Sequence, residues 1–193
     1  MTHPPALALL EFSSIAVGTR ASDALIKKAP IKLLRAGSLQ PGKYAILFNG
    51  EVADVEESYQ EGRRVGETAI LDQTLLCDVD ERVYAAVLSR RGDWFTDAVG
   101  VIETSTLAAV IQAADAAVKG ANVEIVEIRL GDGLGGKGLA HLSGLRADVE
   151  AALEIGVAAI ADRPQPPCVT VISRFDQELR SHLSKSTRFA EDG

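Results

Sequence analysis

The chain repeats itself, and this repeat limits its possible folds more than any other feature of the sequence. Segments of the first half recur in the same order in the second half, at an offset of 92 positions that later becomes 94. The matching segments are residues 7–11 and 99–103, 21–29 and 113–121, 42–43 and 136–137, and 53–56 and 147–150. An ordered series of matches with a single two-residue shift predicts two homologous domains of about 90 residues.

Both copies show the same order of short apolar runs and amphipathic segments. The predicted strands are residues 6–12, 31–36, 44–48 and 69–76 in the first copy and 98–102, 123–130, 139–142 and 168–173 in the second. The predicted helices are residues 20–29, 52–65 and 81–88, followed by 107–121, 146–160 and 177–183. Each copy therefore has a β-α-β-β-α-β core, which predicts an α+β fold of two tandem ferredoxin-like domains.

The segments between these elements suggest where the domains begin and end. We expect a first domain over residues 1–90, a second over 97–183 and a flexible polar tail over 184–193. A polar linker with one aromatic residue, Trp94, joins the domains. The change of offset falls within the predicted hairpin. Because side chains alternate along a strand, two extra residues keep the buried face buried and predict a longer hairpin in the second copy.

Composition excludes several classes of function. The 193 residues include 20 basic and 27 acidic side chains, a net charge of −7, so no basic surplus is available for binding nucleic acid. No apolar run has the length that a bilayer span needs, and the first residues lack the pattern of a signal peptide. The two cysteines, Cys77 and Cys168, are far apart and are typical of a reducing cytoplasm.

A glycine-rich segment over residues 131–138 satisfies the pattern G-x-G-x-x-G and nearly satisfies that of a phosphate-binding loop. Both patterns require a helix directly after the loop, because the helix N-terminus holds the phosphate. Here a strand is predicted to follow, and Gly138 occupies the place of the magnesium-binding hydroxyl. Residues 37–43 repeat the same glycine spacing at the same hairpin, so a structural turn is the better interpretation.

No pattern of catalytic residues is present. His3, His141 and His182 have no nucleophile or carboxylate at a recognisable spacing. Glu11 and Glu103 recur at the end of the first strand of each copy, and the duplication favours a shared structural hydrogen bond over acid–base chemistry. Both cysteines are expected to be buried in or beside the final strands. We expect no enzyme activity, no metal and no cofactor.

Taken together, the second copy resembles a bacterial microcompartment shell domain. The resemblance begins with residues 99–124 and continues in order through the glycine loop, Gly144 and residues 147–152. It covers nearly all of the second copy and, more weakly, the first. The chain is therefore similar to the tandem-domain, trimer-forming shell proteins, with its elements in the unpermuted order.

This resemblance implies a homotrimer, a pseudohexagonal disc with a central pore for small polar metabolites. Such discs lie edge to edge with other shell proteins, hexameric and pentameric, in a shell that encloses enzymes in the cytoplasm. A head-to-tail contact that repeats around a closed cycle agrees with this ring. Some family members hold an iron–sulfur cluster at the pore through cysteine, but neither residues 37–42 nor 131–136 include one.

The resemblance also assigns positions to the pore, namely Ser38, Leu39 and Gln40 in the first copy and Gly131, Asp132, Gly133 and Leu134 in the second. Three Asp132 carboxylates near one axis are expected to disfavour anions and to favour cations or neutral polar solutes. The alternative is that Asp132 faces solvent beside a closed pore.

Three further residues match positions that join neighbouring discs of the family. Lys27 and Lys119 match its edge lysine, and Arg174 matches the arginine after the final strand. The first-copy counterpart of Arg174 is Asp78, which makes the six edges unequal. Both lysines could instead be ordinary exposed charges. A second interpretation of the whole chain is a trimeric ferredoxin-like regulator that binds a small ligand between subunits, and an enzyme is a third.

Overall fold

The computed structural model describes residues 5–94, 97–131 and 133–188. The first half consists of β1 (Ala6–Phe12), α1 (Ile15–Lys28), β2 (Lys32–Leu39), β3 (Lys43–Gly50), α2 (Val52–Gly66), a 3-10 helix (Glu67–Ala69), β4 (Ile70–Leu76) and α3 (Glu81–Val87). The second half consists of β5 (Ala98–Thr104), α4 (Leu107–Gly120), β6 (Glu124–Leu130), β7 (Gly138–Gly144), α5 (Arg146–Ala158), β8 (Cys168–Ser173) and α6 (Gln177–Lys185). The predicted pair of β-α-β-β-α-β domains is confirmed.

The two antiparallel sheets have the same topology, with strand orders β2-β3-β1-β4 and β6-β7-β5-β8. A register shift interrupts the outer hairpin at the same place in each, after Leu33 and after Ile125, which are 92 positions apart. Irregularities as well as elements are therefore repeated between the domains.

The ends of the hairpins differ in length. In the first domain Leu39 pairs with Lys43, so residues 40–42 form the turn. In the second domain the Gly131 N–H donates to the carbonyl of Lys137 at 3.0 Å, and residues 132–136 lie between them. The longer second hairpin that the change of offset predicted is therefore present.

Helix α1 begins at Ile15, whereas the apolar pattern predicted a start at residue 20. The Ser14 hydroxyl accepts a hydrogen bond from the N–H of Val17 at 3.3 Å and so caps the helix. Thr106 caps α4 in the same way, through the N–H of Ala109 at 3.4 Å. Both caps belong to the repeat, because Ser14 and Thr106 are 92 positions apart.

Strand β1 of the first sheet is buried on both faces, and this sets the position of the second domain. Every residue of β1 is buried. One of its faces packs with α1 and α2, while Leu7 and Leu9 on the other face belong to an apolar cluster shared with α4. By contrast, β8 is exposed along most of its length. Cys168 at its start and Cys77 beyond β4 are both exposed, so the expectation of buried thiols is wrong.

The segments at the predicted domain limits are shared between domains. Helix α3 buries Val83 and Val87 in the cluster that includes the core of the second domain. Helix α6 continues to Lys185, past the predicted start of the tail, and the Thr187 hydroxyl donates to Glu127 at 2.7 Å. Residues 189–193 lie outside the described residues. The limits 1–90, 97–183 and 184–193 stay a prediction.

Candidate functional site

The surface between the two domains, which we call the interdomain seam, is formed by β1, β4 and α3 against α4 and the segment after α5. At its centre the fully buried Glu11 carboxylate accepts hydrogen bonds from Lys43 Nζ at 2.8 Å and from the N–H of Leu107 at 2.9 Å. Burial raises the pKa of Glu11, against the opposing effects of these two donors. Glu11 therefore fixes the N-terminus of α4 on the first sheet, a structural role as its repetition indicated.

Beside Glu11 lies a second carboxylate that the sequence did not single out. The buried Asp72 on β4 is 3.0 Å from Arg163 Nε and accepts a hydrogen bond from the Thr106 hydroxyl. Arg163 also donates to the carbonyl of Gln73 at 3.0 Å and to the side chain of Gln112 at 2.8 Å. This arginine thus connects the end of α5 to β4 across the seam.

The C-terminal end of α4 is held by the start of α3. Arg82 donates to the carbonyls of Val118 at 2.7 Å and Val123 at 2.8 Å, and its guanidinium also binds Asp80. That contact lowers the pKa of Asp80. The N–H of Asp80 donates to Asp115 on α4 at 2.8 Å. Both ends of α4 are therefore bound to the first domain by polar groups, in addition to apolar packing.

The second domain presents counterparts of these surfaces that no residue of 5–94, 97–131 or 133–188 covers. Glu11 pairs with Asp72 in the first sheet and Glu103 pairs with Cys168 in the second, so Cys168 is the counterpart of Asp72. The Glu103 carboxylate is 2.7 Å from Lys137 but remains 43% exposed. Val169 and Ile172 on β8 are 39% and 37% exposed. One edge of the second domain is therefore an uncovered version of the edge that the first domain buries.

Helix α1 is the matching uncovered helix. Ten of the fourteen residues of α4 are buried, against four of fourteen in α1. On the outer side of α1, Ile15 and Ile26 are 45% and 43% exposed, and their counterparts Leu107 and Val118 on α4 are buried in the seam. The chain thus has an uncovered β8 in one domain and an uncovered α1 in the other.

The predicted pore residues lie in the two hairpin turns, and the fold brings these turns together. Ser38 and Gln40 are exposed and Leu39 is half-buried. In the second turn Gly131 is buried, Gly133 is exposed and Leu134 is half-buried, while Asp132 lies outside the described residues.

The contact between the turns is closest at a glycine. Gly136 has a φ of +81°, and a Cβ there would lie 2.6 Å from the carbonyl oxygen of Gln40. A side chain at this position would push the two turns apart. Gly131, with a φ of +72°, lies beside Leu39 in the same way. Close approach and backbone conformation together explain these glycines, which supports the structural interpretation of the glycine-rich segment.

The three predicted edge residues differ in their surroundings. Lys27 is exposed and forms an ion pair with Asp23 at 2.6 Å, four residues earlier on α1. Lys119 forms the equivalent pair with Asp115 at 2.6 Å and also donates to the carbonyl of Asp78 across the interdomain seam. Arg174 is exposed, with a φ of +52°, and its N–H donates to the Asp97 carbonyl at 2.7 Å.

The histidines do not form a catalytic arrangement among the described residues. His141 on β7 is largely buried, with its ring 5.3 Å from that of Trp94 and its Nδ1 3.9 Å from Glu127. Burial lowers the pKa of His141 and favours the neutral ring. His182 is exposed on α6, and His3 lies outside the described residues.

The described residues lack two kinds of feature. No group of His, Cys, Asp and Glu side chains there is arranged to hold a metal ion. None of the helices described has the length and apolar character needed to span a membrane.

Comparison with known proteins gives consistent matches. A model of the BMC domain matches twice, over residues 6–78 and 98–174. The bacterial microcompartment shell protein PduT of Citrobacter freundii is 32% identical over 158 residues, covering 82% of this chain and 86% of PduT. The carboxysome assembly protein CcmO of Synechocystis sp. is 24% identical over 208 positions, covering 98% of this chain and 69% of CcmO.

Solved structures extend this comparison. A microcompartments protein from Desulfitobacterium hafniense superposes with a TM-score of 0.80 at 36% identity, covering 93% of this chain and 99% of that one. The fused permuted hexameric shell protein of the RMM microcompartment has a TM-score of 0.59 at 21% identity, covering 82% of both chains, and shares the fold.

Proposed function

The chain belongs to the BMC-domain family and is a structural, non-catalytic shell protein of bacterial microcompartments, and from that premise we propose that three copies close head to tail into a pseudohexameric disc with a central pore. Each chain supplies two of the six domains. Its place is in the microcompartment shell. The ligand-binding regulator that the sequence left open is not favoured by these matches.

The observation that supports the trimer is the uncovered pair of surfaces. Leu76 on β4 packs against the cluster that includes α4, whereas Ile172, its counterpart on β8, has no such partner within the described chain. The missing partner would be a helix equivalent to α4, which is α1 of another copy. A contact between two different surfaces of the same chain either closes into a ring or continues as a filament. Two pseudo-equivalent domains per chain fit six positions around a ring.

The covered seam specifies the polar contacts expected at the uncovered one. The Glu11 contact predicts that Glu103 accepts a hydrogen bond from the N–H of Ile15 in the next chain. The Asp115 contact predicts that Asp23 accepts one from the N–H of Asp176 in the preceding chain. Helix α3 lies on β6, so α6, which buries none of its residues, is expected to lie on β2 of the next chain.

The trimer is tested by the native mass in solution, measured by light scattering behind a sizing column. Three chains of 20.4 kDa have a mass of about 61 kDa. A species of that mass, or of twice that mass for two stacked discs, is the expected result. A stable species of 20.4 kDa would contradict both the ring and its pore.

We place the pore at the hairpin turns, residues 37–42 and 131–136. The contact between Gly136 and Gln40 supports this, because turns that touch within one chain can form a continuous rim in a ring. The expected solutes are small polar metabolites, and Asp132 is expected to disfavour anions. The test is the Asp132→Asn variant in shells loaded with a charged solute. Faster passage of anions is expected, and unchanged passage of both anions and cations would contradict a role for Asp132.

We propose that Lys27, Lys119 and Arg174 contact other shell proteins at the disc edge. Lys119 donates to the carbonyl of Asp78 across the interdomain seam and is still 38% exposed, so a neighbouring disc could reach it. Arg174→Ala should leave the native mass unchanged while reducing the sheets or tubes seen by electron microscopy. Sheets of unaltered extent would contradict the edge role.

A further inference from the structure

Equivalent ends of the two seams carry charges of opposite sign. At the C-terminal end of α4, residues 78–82 of the first domain meet residues 115–124 of the second, and we call this surface the covered seam end. It includes five acidic and two basic side chains, a net charge of −3. Its counterpart, residues 174–178 and 23–32, includes three acidic and four basic side chains, a net charge of +1. We call this counterpart the open seam end, because two chains must meet in the proposed trimer to form it.

Charge reversal at two equivalent positions accounts for the whole difference. Asp78 follows β4 where Arg174 follows β8. Glu124 begins β6 where Lys32 begins β2, and both pair with the same position of the next strand. The remaining charged residues have the same net charge at both ends. The two copies thus differ in sign at the same place.

The basic side chains of the covered seam end are compensated within the chain. Arg82 binds Asp80 and two backbone carbonyls, and Lys119 binds Asp115 and one carbonyl of the first domain. Three carboxylates of this end are exposed and form no ion pair with any described residue, namely Asp78, Glu81 and Glu124. The covered seam end therefore presents uncompensated negative charge.

The open seam end has the opposite arrangement. Lys27 pairs with Asp23, and Asp176 accepts hydrogen bonds from two N–H groups at the start of α6. Among the described residues, no ion pair involves the exposed Glu178 or the three exposed cations Lys28, Lys32 and Arg174. Three uncompensated cations against one carboxylate leave this end positive.

Ring closure leaves both ends accessible. The covered seam end shows this directly, because its three uncompensated carboxylates stay exposed although the seam around them is formed. The three cations of the open seam end occupy the positions equivalent to residues 78, 120 and 124, all of which are exposed in the covered one. We therefore expect the cations to stay exposed in the trimer. Each disc then has three ends of each sign, alternating around the ring.

We propose that discs of this protein bind one another by placing the covered seam end of one disc against the open seam end of another. The partner is a second disc of the same chain, so this pairing rests on the proposed trimer. Opposite charges attract across such a contact, whereas two equal ends repel each other. The pairing selects which edge of a disc meets which, a choice that a ring of six identical domains does not have.

The test exchanges the charges of the two ends and measures sheet formation at low ionic strength by electron microscopy and sedimentation. Asp78→Arg with Glu124→Lys gives both ends a net charge of +1, and Arg174→Asp with Lys32→Glu gives both a net charge of −3. Each pair of substitutions should raise the chain concentration needed for sheets by about tenfold. The chain with all four substitutions again has ends of opposite sign and the net charge of the parent, so it should form sheets as the parent does.

Two exposed glutamates outside both ends, Glu57 on α2 and Glu154 on α5, provide the matched control. Glu57→Lys with Glu154→Lys changes the net charge of the chain as much as Asp78→Arg with Glu124→Lys, and it should leave the sheets unchanged. Sheets of the parent should dissolve as the salt concentration rises from about 0.1 M to about 1 M, because the Debye length falls from about 10 Å to about 3 Å.

Three results would overturn the proposal. They are no lateral association of parent discs, unaltered sheets in both double variants, and a chain with all four substitutions that assembles as poorly as the double variants. A native mass of about 61 kDa shows that the trimer is intact in each variant. A parent chain that stays at 20.4 kDa would instead contradict the proposed trimer itself, so the two failures are distinguished.

Discussion

The first domain buries the sheet edge that the second domain leaves open. On β4, Asp72 is buried and paired with Arg163, whereas its counterpart Cys168 on β8 is exposed. Helix α4 is covered by the first domain, whereas α1 shows two isoleucines to solvent. Two copies of one fold thus differ chiefly in whether their partner is present within the chain.

This difference shows which buried contacts are possible when both partners belong to one chain. In the covered seam the partner is always present at high effective concentration, so groups such as Asp72 and Arg163 can be buried as an ion pair. The uncovered seam faces solvent in the single chain, and in the proposed trimer another chain would cover it. At the position of Asp72 this seam has the thiol of Cys168. Glu178, two residues after the Asp176 cap of α6, takes the place of Arg82, two residues after the Asp80 cap of α3.

A charged residue on the uncovered strand β8 should have the largest effect on the native mass. Ile172→Asp should convert the native mass from about 61 kDa to 20.4 kDa. Burying an unpaired carboxylate costs about 3–5 kcal/mol at each seam. Leu145→Asp is the control, because Leu145 is 63% exposed at the N-cap of α5, where its first-domain counterpart is Glu51. Equal masses for the two variants would contradict a contact at β8.

A second substitution compares the two seams directly. Asp72→Ala leaves Arg163 without its buried carboxylate and should lower the free energy of unfolding by about 3 kcal/mol. Cys168→Ala, at the counterpart position, should change it by less than about 0.5 kcal/mol. Urea unfolding at a fixed chain concentration measures both. A smaller loss for Asp72→Ala than for Cys168→Ala would mean that Asp72 does not join the domains.

The third prediction uses a core position at which the domains differ. His141 corresponds to Leu47, and burial holds the pKa of His141 below its ordinary value of 6.5. The unfolded chain therefore binds a proton that the folded chain does not. Stability should fall as the pH drops below 6.5, by up to about 1.4 kcal/mol for each unit by which the pKa is lowered.

His141→Leu places the first-domain residue in the second domain and should reduce this loss. Urea unfolding at pH 7.5 and about pH 5 measures it, with the fluorescence of Trp94, the single tryptophan, as the probe. If the parent chain and His141→Leu lose equal stability between the two pH values, His141 is not the group responsible.

The smallest effect concerns the two lysines. Lys119→Ala removes contacts to Asp115 and to the Asp78 carbonyl, so the free energy of unfolding of the chain should fall by about 1 kcal/mol. Lys27→Ala removes an exposed ion pair and should change the stability of the chain by less than about 0.5 kcal/mol. In the proposed disc, however, we expect Lys27 to gain the contact that Lys119 has. A Lys27→Ala disc should therefore dissociate at a higher chain concentration than the parent, and an unchanged dissociation concentration would contradict the equivalence.

Much of the fold could be predicted because the same pattern of strands and helices occurs in both halves of the sequence. Strands β1 and β8 have the predicted limits, and the change of offset located the longer hairpin. The start of α1 was placed too late, because Gly18 and Thr19 weaken its apolar pattern. Alignment of Ser14 with Thr106 was the signal that could have found the cap, since both are N-cap residues 92 positions apart.

Three residues of the interdomain seam could not be predicted in the same way. Asp72, Arg82 and Arg163 contact the other domain, and the repeat does not conserve them. A comparison of the two copies for shared residues does not identify such positions, because the two copies have different residues there. The exposed Cys168 was mispredicted for a related reason, because a strand pattern does not show whether a partner covers the outer face of β8.

The central claim is that β8 of one chain contacts α1 of the next, and a disulfide bond tests it most directly. Asp72 and Thr106 are hydrogen-bonded across the covered seam, and their counterparts are Cys168 and Ser14. Ser14→Cys in a Cys77→Ser background should therefore oxidise to a bond between neighbouring chains. The same chain with Cys168→Ser is the control. Under denaturing, non-reducing conditions we predict a closed three-chain species of about 61 kDa. Chains that stay at 20.4 kDa, or a ladder beyond three chains, would contradict the closed ring.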